Sequence, residues 1–123
     1  MDLHSAAETP LIESEQIDSL LDAAGVDGVK DILEAFWRST DQLSADLARC
    51  IETGACADAA RTAHALKGSA ANVGANRLAD AARRVEALSK NGDLAGVTSA
   101  VDRLAAIYRE TRAALDRLLS ERA

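Results

Sequence analysis

Apolar residues recur along most of this chain at spacings of three and four, the rhythm of a single helix face. From Ser14 onward Ile17, Leu20 and Leu21 share one face of a short helix, and Gly25 predicts its stop. A long helix is predicted next, from about Asp27 to Thr53. In it Val29, Phe36, Thr40, Leu43, Leu47 and Cys50 alternate the two spacings, Leu33 and Ile51 widen the stripe, and Gly54 ends it. A third helix covers about Ala57 to Val73 and stops at Gly74, with Asp58 favourably placed in its first turn. The fourth runs from Ala75 to about Ser89 and buries Leu78, Ala81 or Ala82, Val85 and Leu88 before Asn91-Gly92 punctuates. Asp93 suits a cap for the last helix, whose heptad is the cleanest in the chain: Val97, Val101, Leu104, Tyr108, Thr111, Leu115 and Leu118.

Four long amphipathic helices joined by short turns can hide their stripes only by packing antiparallel. The pattern therefore predicts an all-α fold, an antiparallel up-down-up-down four-helix bundle with a short extra N-terminal helix. Residues 1–12 show no periodicity and include Pro10, so they are read as a flexible N-terminal arm, with 13–123 as the bundle. His4, in the arm, reads as an ordinary exposed histidine.

Composition agrees with this and adds exclusions. Hydrophobic residues make up 48% and charged residues 28% of the 123, which is the balance of one globular domain. Aromatics are only 2% and alanine is abundant, which favours helix. The net charge is −6 and the basic residues are scattered, so no basic footprint for nucleic acid is visible. No apolar run approaches the roughly 20 residues of a membrane span, and the acidic N-terminus lacks the features of a secretory signal. A cytoplasmic protein is expected, and its initiator Met and self-contained core suggest a free-standing monomer. Cys50 and Cys56 fit no zinc framework and read as two half-buried thiols.

The chemistry centres on "ARTAHALKGSAANVGA", residues 60–75. Advancing about 100° per residue from His64 puts Ala59, Leu66, Ala70 and Val73 on the opposite, core-seeking face, with Thr62 and Ser69 at its margin. His64 then projects to solvent. Ala60, Gly68 and Ala71 lie within about 40° of it, and Arg61 and Lys67 flank it on opposite sides. A glycine inside an exposed helix costs roughly 1 kcal/mol against alanine. Alanine is used freely nearby, so Gly68 suggests that another molecule comes close to the helix there.

The run His64-Ala65-Leu66-Lys67-Gly68-Ser69-Ala70, followed by Gly74-Ala75 and then Leu78, resembles the signature of histidine-containing phosphotransfer (HPt) domains of bacterial phosphorelays. The resemblance reaches upstream to Phe36 and downstream to Glu86, in a Val85-Glu86 pair where the family often has Leu-Glu. It covers about residues 15–120. It implies the same four-helix bundle, with His64 as phosphoryl acceptor and Lys67 as the basic residue beside the phosphoryl group. Gly68 would be the small residue that admits a receiver domain's loops, helped by Ala60 and Ala71. Gly74 would be the helix breaker, and Arg61 and Asn72 would edge the partner surface. One departure is Ala55, where the family often has an acidic residue; Asp58 could take its dipole role.

The resemblance implies receiver domains as partners, of a hybrid sensor kinase or of response regulators. It implies no metal site of the chain's own, the Mg²⁺ being supplied by the partner. An exposed imidazole is a usable nucleophile near neutral pH, but no carboxylate lies within a helical turn of His64 to assist it. It would therefore need an activated donor such as a phospho-aspartate, passing the group reversibly from one receiver to another. A glycine-rich phosphate loop is missing, which argues against autonomous kinase activity. In the dimerisation domain of a sensor kinase an acidic residue usually follows the histidine directly, where this chain has Ala65. The competing reading is a phosphorylation-independent helical adaptor that binds receiver or kinase domains. A purely structural bundle would leave Gly68 unexplained.

Overall fold

The computed structural model describes residues 9–122; His4 and the rest of residues 1–8 lie outside them. Among the described residues there are only helices: α1 (Ser14–Thr53), α2 (Cys56–Asn72), α3 (Asn76–Lys90) and α4 (Leu94–Arg122). Each packs on the next and α4 returns to α1, so four antiparallel helices close around one core. The predicted short helix is the first arm of α1. Gly25, at φ 72° and ψ 173°, interrupts the helical path and sets that arm off from the longer one.

The turns explain why the helices stop where they do. The amide of Gly54 donates to the carbonyl of Ile51 at 3.3 Å and that of Ala55 to Cys50 at 2.9 Å, which uses up carbonyls at the end of α1. Asp93 caps α4 as expected, its Oδ1 accepting from the Gly96 amide at 2.9 Å. Gly74 sits at φ 75°, and a β-carbon there would lie 3.3 Å from the carbonyl oxygen of Glu13. Both the backbone and the neighbour therefore demand glycine at the α2–α3 turn.

That neighbour is the N-terminal segment, which is tied across the turn. The Glu13 amide donates to the Gly74 carbonyl at 2.8 Å, and the Gln16 side chain donates to the carbonyls of Ala71 and Asn72 at 2.8 and 3.0 Å. The Thr9 hydroxyl bonds Asp80, Arg77 Nε donates to the Thr9 carbonyl at 2.9 Å, and Leu11 and Ile12 pack on the core. The expected flexible arm over 1–12 thus lies mostly outside the described residues, and 9–12 are held against the bundle.

Most of the α1 stripe is buried as its spacing predicts, with Val29, Leu33, Phe36, Thr40 and Leu47 inside and Trp37 joining them, while Leu43, Cys50 and Ile51 are only half-buried. On α4 the heptad drifts. Ala100, Ile107 and Leu119 are buried beside Val97, Leu104, Thr111 and Leu115, whereas Val101, Tyr108 and Leu118 are only half-buried. A straight helix at 3.6 residues per turn slides off a 3.5 repeat by about 20° per heptad, and α4 meets both α1 and α3 rather than one seam. Cys50 and Cys56 are free, half-buried thiols.

Candidate functional site

The site is built on α2, one face of which lies against the bundle while its one ring stands clear of it. Ala59, Ala63, Leu66 and Ala70 are buried, which leaves 66% of the His64 side chain accessible. One turn on, Gly68 is exposed, and a β-carbon built there would meet nothing within 4 Å. No contact among the described residues therefore accounts for the glycine. Ala71 is exposed too.

Ala60 departs from expectation. It is 8% exposed, not part of the open surface. The helical wheel puts it on the flank of α2 that also carries Lys67, and this flank turns toward α3, where Lys67 reaches Glu86. Arg61 is exposed on the other flank and pairs with Asp58, close to Asp46 and Arg49 of α1. Asn72 is exposed at the last turn of α2, its carbonyl taken by Gln16. Gly74, at φ 75°, lies in the turn between α2 and α3, just past the end of α2.

The structure brings to His64 a group that reasoning along one helix missed. Glu86 of α3 places Oε2 3.0 Å from His64 Nδ1, Lys67 Nζ lies 3.2 Å from Oε1, and Lys90 Nζ lies 3.2 Å from Oε2. The absence of a carboxylate within one turn of His64 holds for α2 alone; the partner comes across the hairpin. Two signals pointed to it: an acidic residue beside Val85 on the buried side of α3, and the Glu86–Lys90 spacing of four.

The electrostatics of this cluster follow from its covering. Only 10% of the Glu86 side chain is accessible, yet its carboxyl is held at about 2, below its ordinary 4.5. The hydrogen bond from Lys90 is the largest cause; burial opposes it, and the hydrogen bonds from Lys67 and His64 add to it. An ionised carboxylate only accepts, so Nδ1 of His64 must carry the proton in this contact. Nε2 is then left with the lone pair. The arrangement amounts to an exposed imidazole nucleophile oriented through its other nitrogen, flanked by two ammonium groups and bordered by bare backbone.

Among the described residues no group of three or more His, Cys, Asp or Glu side chains is arranged to hold a metal ion. The ring itself is largely exposed. A groove of about 530 Å³ lies elsewhere, between α3 and α4, lined by Arg77, Ala81, Arg84, Leu88, Arg103 and Ile107 on the side of α3 away from Glu86.

Comparison with known proteins gives two matches. The profile of the Hpt domain family matches residues 31–121. The fold also matches the crystal structure of histidine-containing phosphotransfer protein B (HptB) from Pseudomonas aeruginosa PAO1, with a TM-score of 0.84 over 92% of this chain and 97% of that one. At 19% sequence identity that likeness concerns the fold. No curated protein sequence matches.

Proposed function

Because this chain belongs to the Hpt domain family, the histidine phosphotransfer domains of phosphorelays, we propose that His64 accepts a phosphoryl group from a phospho-aspartate of a receiver domain and passes it on to another receiver. The observation that carries this reading is His64 itself: largely exposed, held at Nδ1 by Glu86, and one turn from a glycine whose missing β-carbon would meet none of the described residues outside its own helix backbone.

The chemistry balances without a base to remove a proton. The Nε2 lone pair forms the N–P bond, and the P–O bond of the acyl phosphate breaks with its electron pair returning to the receiver's aspartate. The Nδ1 proton stays where it is, donated to Glu86, so the positive charge that develops on the ring faces a carboxylate. Lys67 supplies positive charge beside the phosphoryl oxygens, and the receiver supplies Mg²⁺. Gly68 and Ala71 leave the incoming loops room to approach, with Arg61 and Asn72 at the edges. Because both phosphorylated species are high in energy, transfer runs in either direction.

In this reading the protein is a phosphocarrier with no kinase activity of its own, working in the cytoplasm as a monomer. No described helix is long and apolar enough to cross a membrane. The test is phosphoryl transfer from a panel of phosphorylated receiver domains to the wild type and to His64→Gln. Acid-labile, alkali-stable label on the wild type alone is the expected result. Receiver binding without label would favour the adaptor instead.

A further inference from the structure

Oε2 of Glu86 serves two donors at once, His64 Nδ1 at 3.0 Å and Lys90 Nζ at 3.2 Å. From this sharing, and resting on the phosphocarrier reading above, we infer that Lys90 is a positioning residue that sets, through Glu86, how tightly His64 holds its phosphoryl group.

The two lysines are not equivalent. Lys67 is on the same helix as His64 and contacts the other oxygen, Oε1. Lys90 belongs to α3, with 66% of its side chain accessible, and it approaches the oxygen on which the ring depends. The remaining nearby cations are engaged elsewhere: Arg61 with Asp58, and Arg83 with Asp80 at 2.6 Å. On the α1 side, Asp46 and Arg49 pair with each other. Among the described residues, the charged contacts at Oε2 are therefore those of His64 and Lys90.

Bond formation at Nε2 leaves positive charge on a ring that keeps its Nδ1 proton. The nearest counter-charge is Oε2, and it stabilises the phosphorylated ring to the extent that its charge is not already met. The Lys90 ammonium meets part of it, as its leading part in holding the Glu86 carboxyl at about 2 also indicates. Lys90 bonds the Glu86 oxygen that faces Nδ1, whereas the phosphoryl group arrives at Nε2. Its effect through Glu86 thus opposes retention of the group, and the carrier stays ready to give it up.

The test is the equilibrium of the phosphoryl group between His64 and one purified receiver, read for wild type, Lys90→Met, Glu86→Gln and the double variant. Lys90→Met should shift it toward phospho-His64 by roughly two- to fivefold, the range of an exposed ion pair. Glu86→Gln should shift it the other way by about tenfold, as expected for loss of a charge-assisted hydrogen bond. In the Glu86→Gln background, Lys90→Met should change nothing, because its route is gone. Circular dichroism checks that each variant is folded, and Lys90→Arg should restore the wild-type value. A shift toward the receiver in Lys90→Met would mean that the lysine touches the phosphoryl group directly, and would overturn the inference. So would an unchanged equilibrium, or an effect that persists without Glu86. A wild type that takes no label from any receiver removes the phosphocarrier reading itself.

Discussion

The α2–α3 side of the bundle and the α1–α4 side pack with opposite materials. Where α2 meets α3 the buried residues are mostly small: Ala59, Ala60, Ala63 and Ala70 on one helix, Ala79 and Ala82 on the other. Where α1 meets α4 the chain gathers its only Phe, Trp and Tyr. The rings of Phe36 and Trp37 are 5.1 Å apart, those of Trp37 and Tyr108 are 5.9 Å apart, and Arg112 stacks over Trp37. The Tyr108 hydroxyl donates to Asp41 at 2.8 Å; burial and that carboxylate push its ionisation up to about 12. The distance between helix axes depends on the side chains between them. Alanine lets α3 approach closely enough for Glu86 to reach His64, while the aromatic side supplies burial away from the reacting ring.

The comparison can be broken most severely from the aromatic side. Trp37→Ala should lower stability by about 3–5 kcal/mol, the usual cost of emptying a buried aromatic site. Denaturant unfolding measures this, and the fraction still folded should accept phosphoryl groups at the wild-type rate. A parallel loss of transfer would show that the two sides are not separable.

From the alanine side the expected pattern is reversed. Gly68→Gln should keep the fold and raise the thermal midpoint slightly, since no described residue occupies that space and glutamine favours helix over glycine, and it should reduce transfer by about tenfold or more through misplacement of the receiver. Ordinary transfer rates in a folded Gly68→Gln protein would sink the close-approach argument.

The smallest effect concerns acid. The folded-state value of Glu86, about 2, lies below its ordinary 4.5, so its ionised form stabilises the fold above pH 4.5 and that contribution fades as the pH falls through about 2. The stability difference between wild type and Glu86→Gln should therefore narrow across this window. A gap that stays constant from neutral pH to below 2 would mean that the carboxylate's pairing contributes nothing to folding.

How much of this was legible in the sequence depends on whether one helix or two were needed to see it. The stripe on α1, the stop at Gly74 and the exposure of His64 each follow from periodicity within a single segment. The HPt signature supplied the roles proposed for His64, Lys67 and Gly68. What a single wheel could not supply was the neighbour: it placed Ala60 in the open, because it held no record that α3 covers the Lys67 flank. For the same reason it left His64 without a carboxylate, although Glu86 stands on the adjoining helix. Trp37 escaped because it widens the α1 stripe next to Phe36. The α4 heptad slipped because a bundle helix with two neighbours has no single seam.

Gly68 has one more consequence, for selection. A helical glycine with φ in the ordinary range and open space around its missing β-carbon can be replaced by alanine with a gain of up to about 1 kcal/mol in stability. The position therefore sets two pressures against each other, persistence of the fold and turnover with a partner. Laboratory evolution for heat resistance alone would fill it early, and the variants it enriched would be sturdy proteins with a blocked surface.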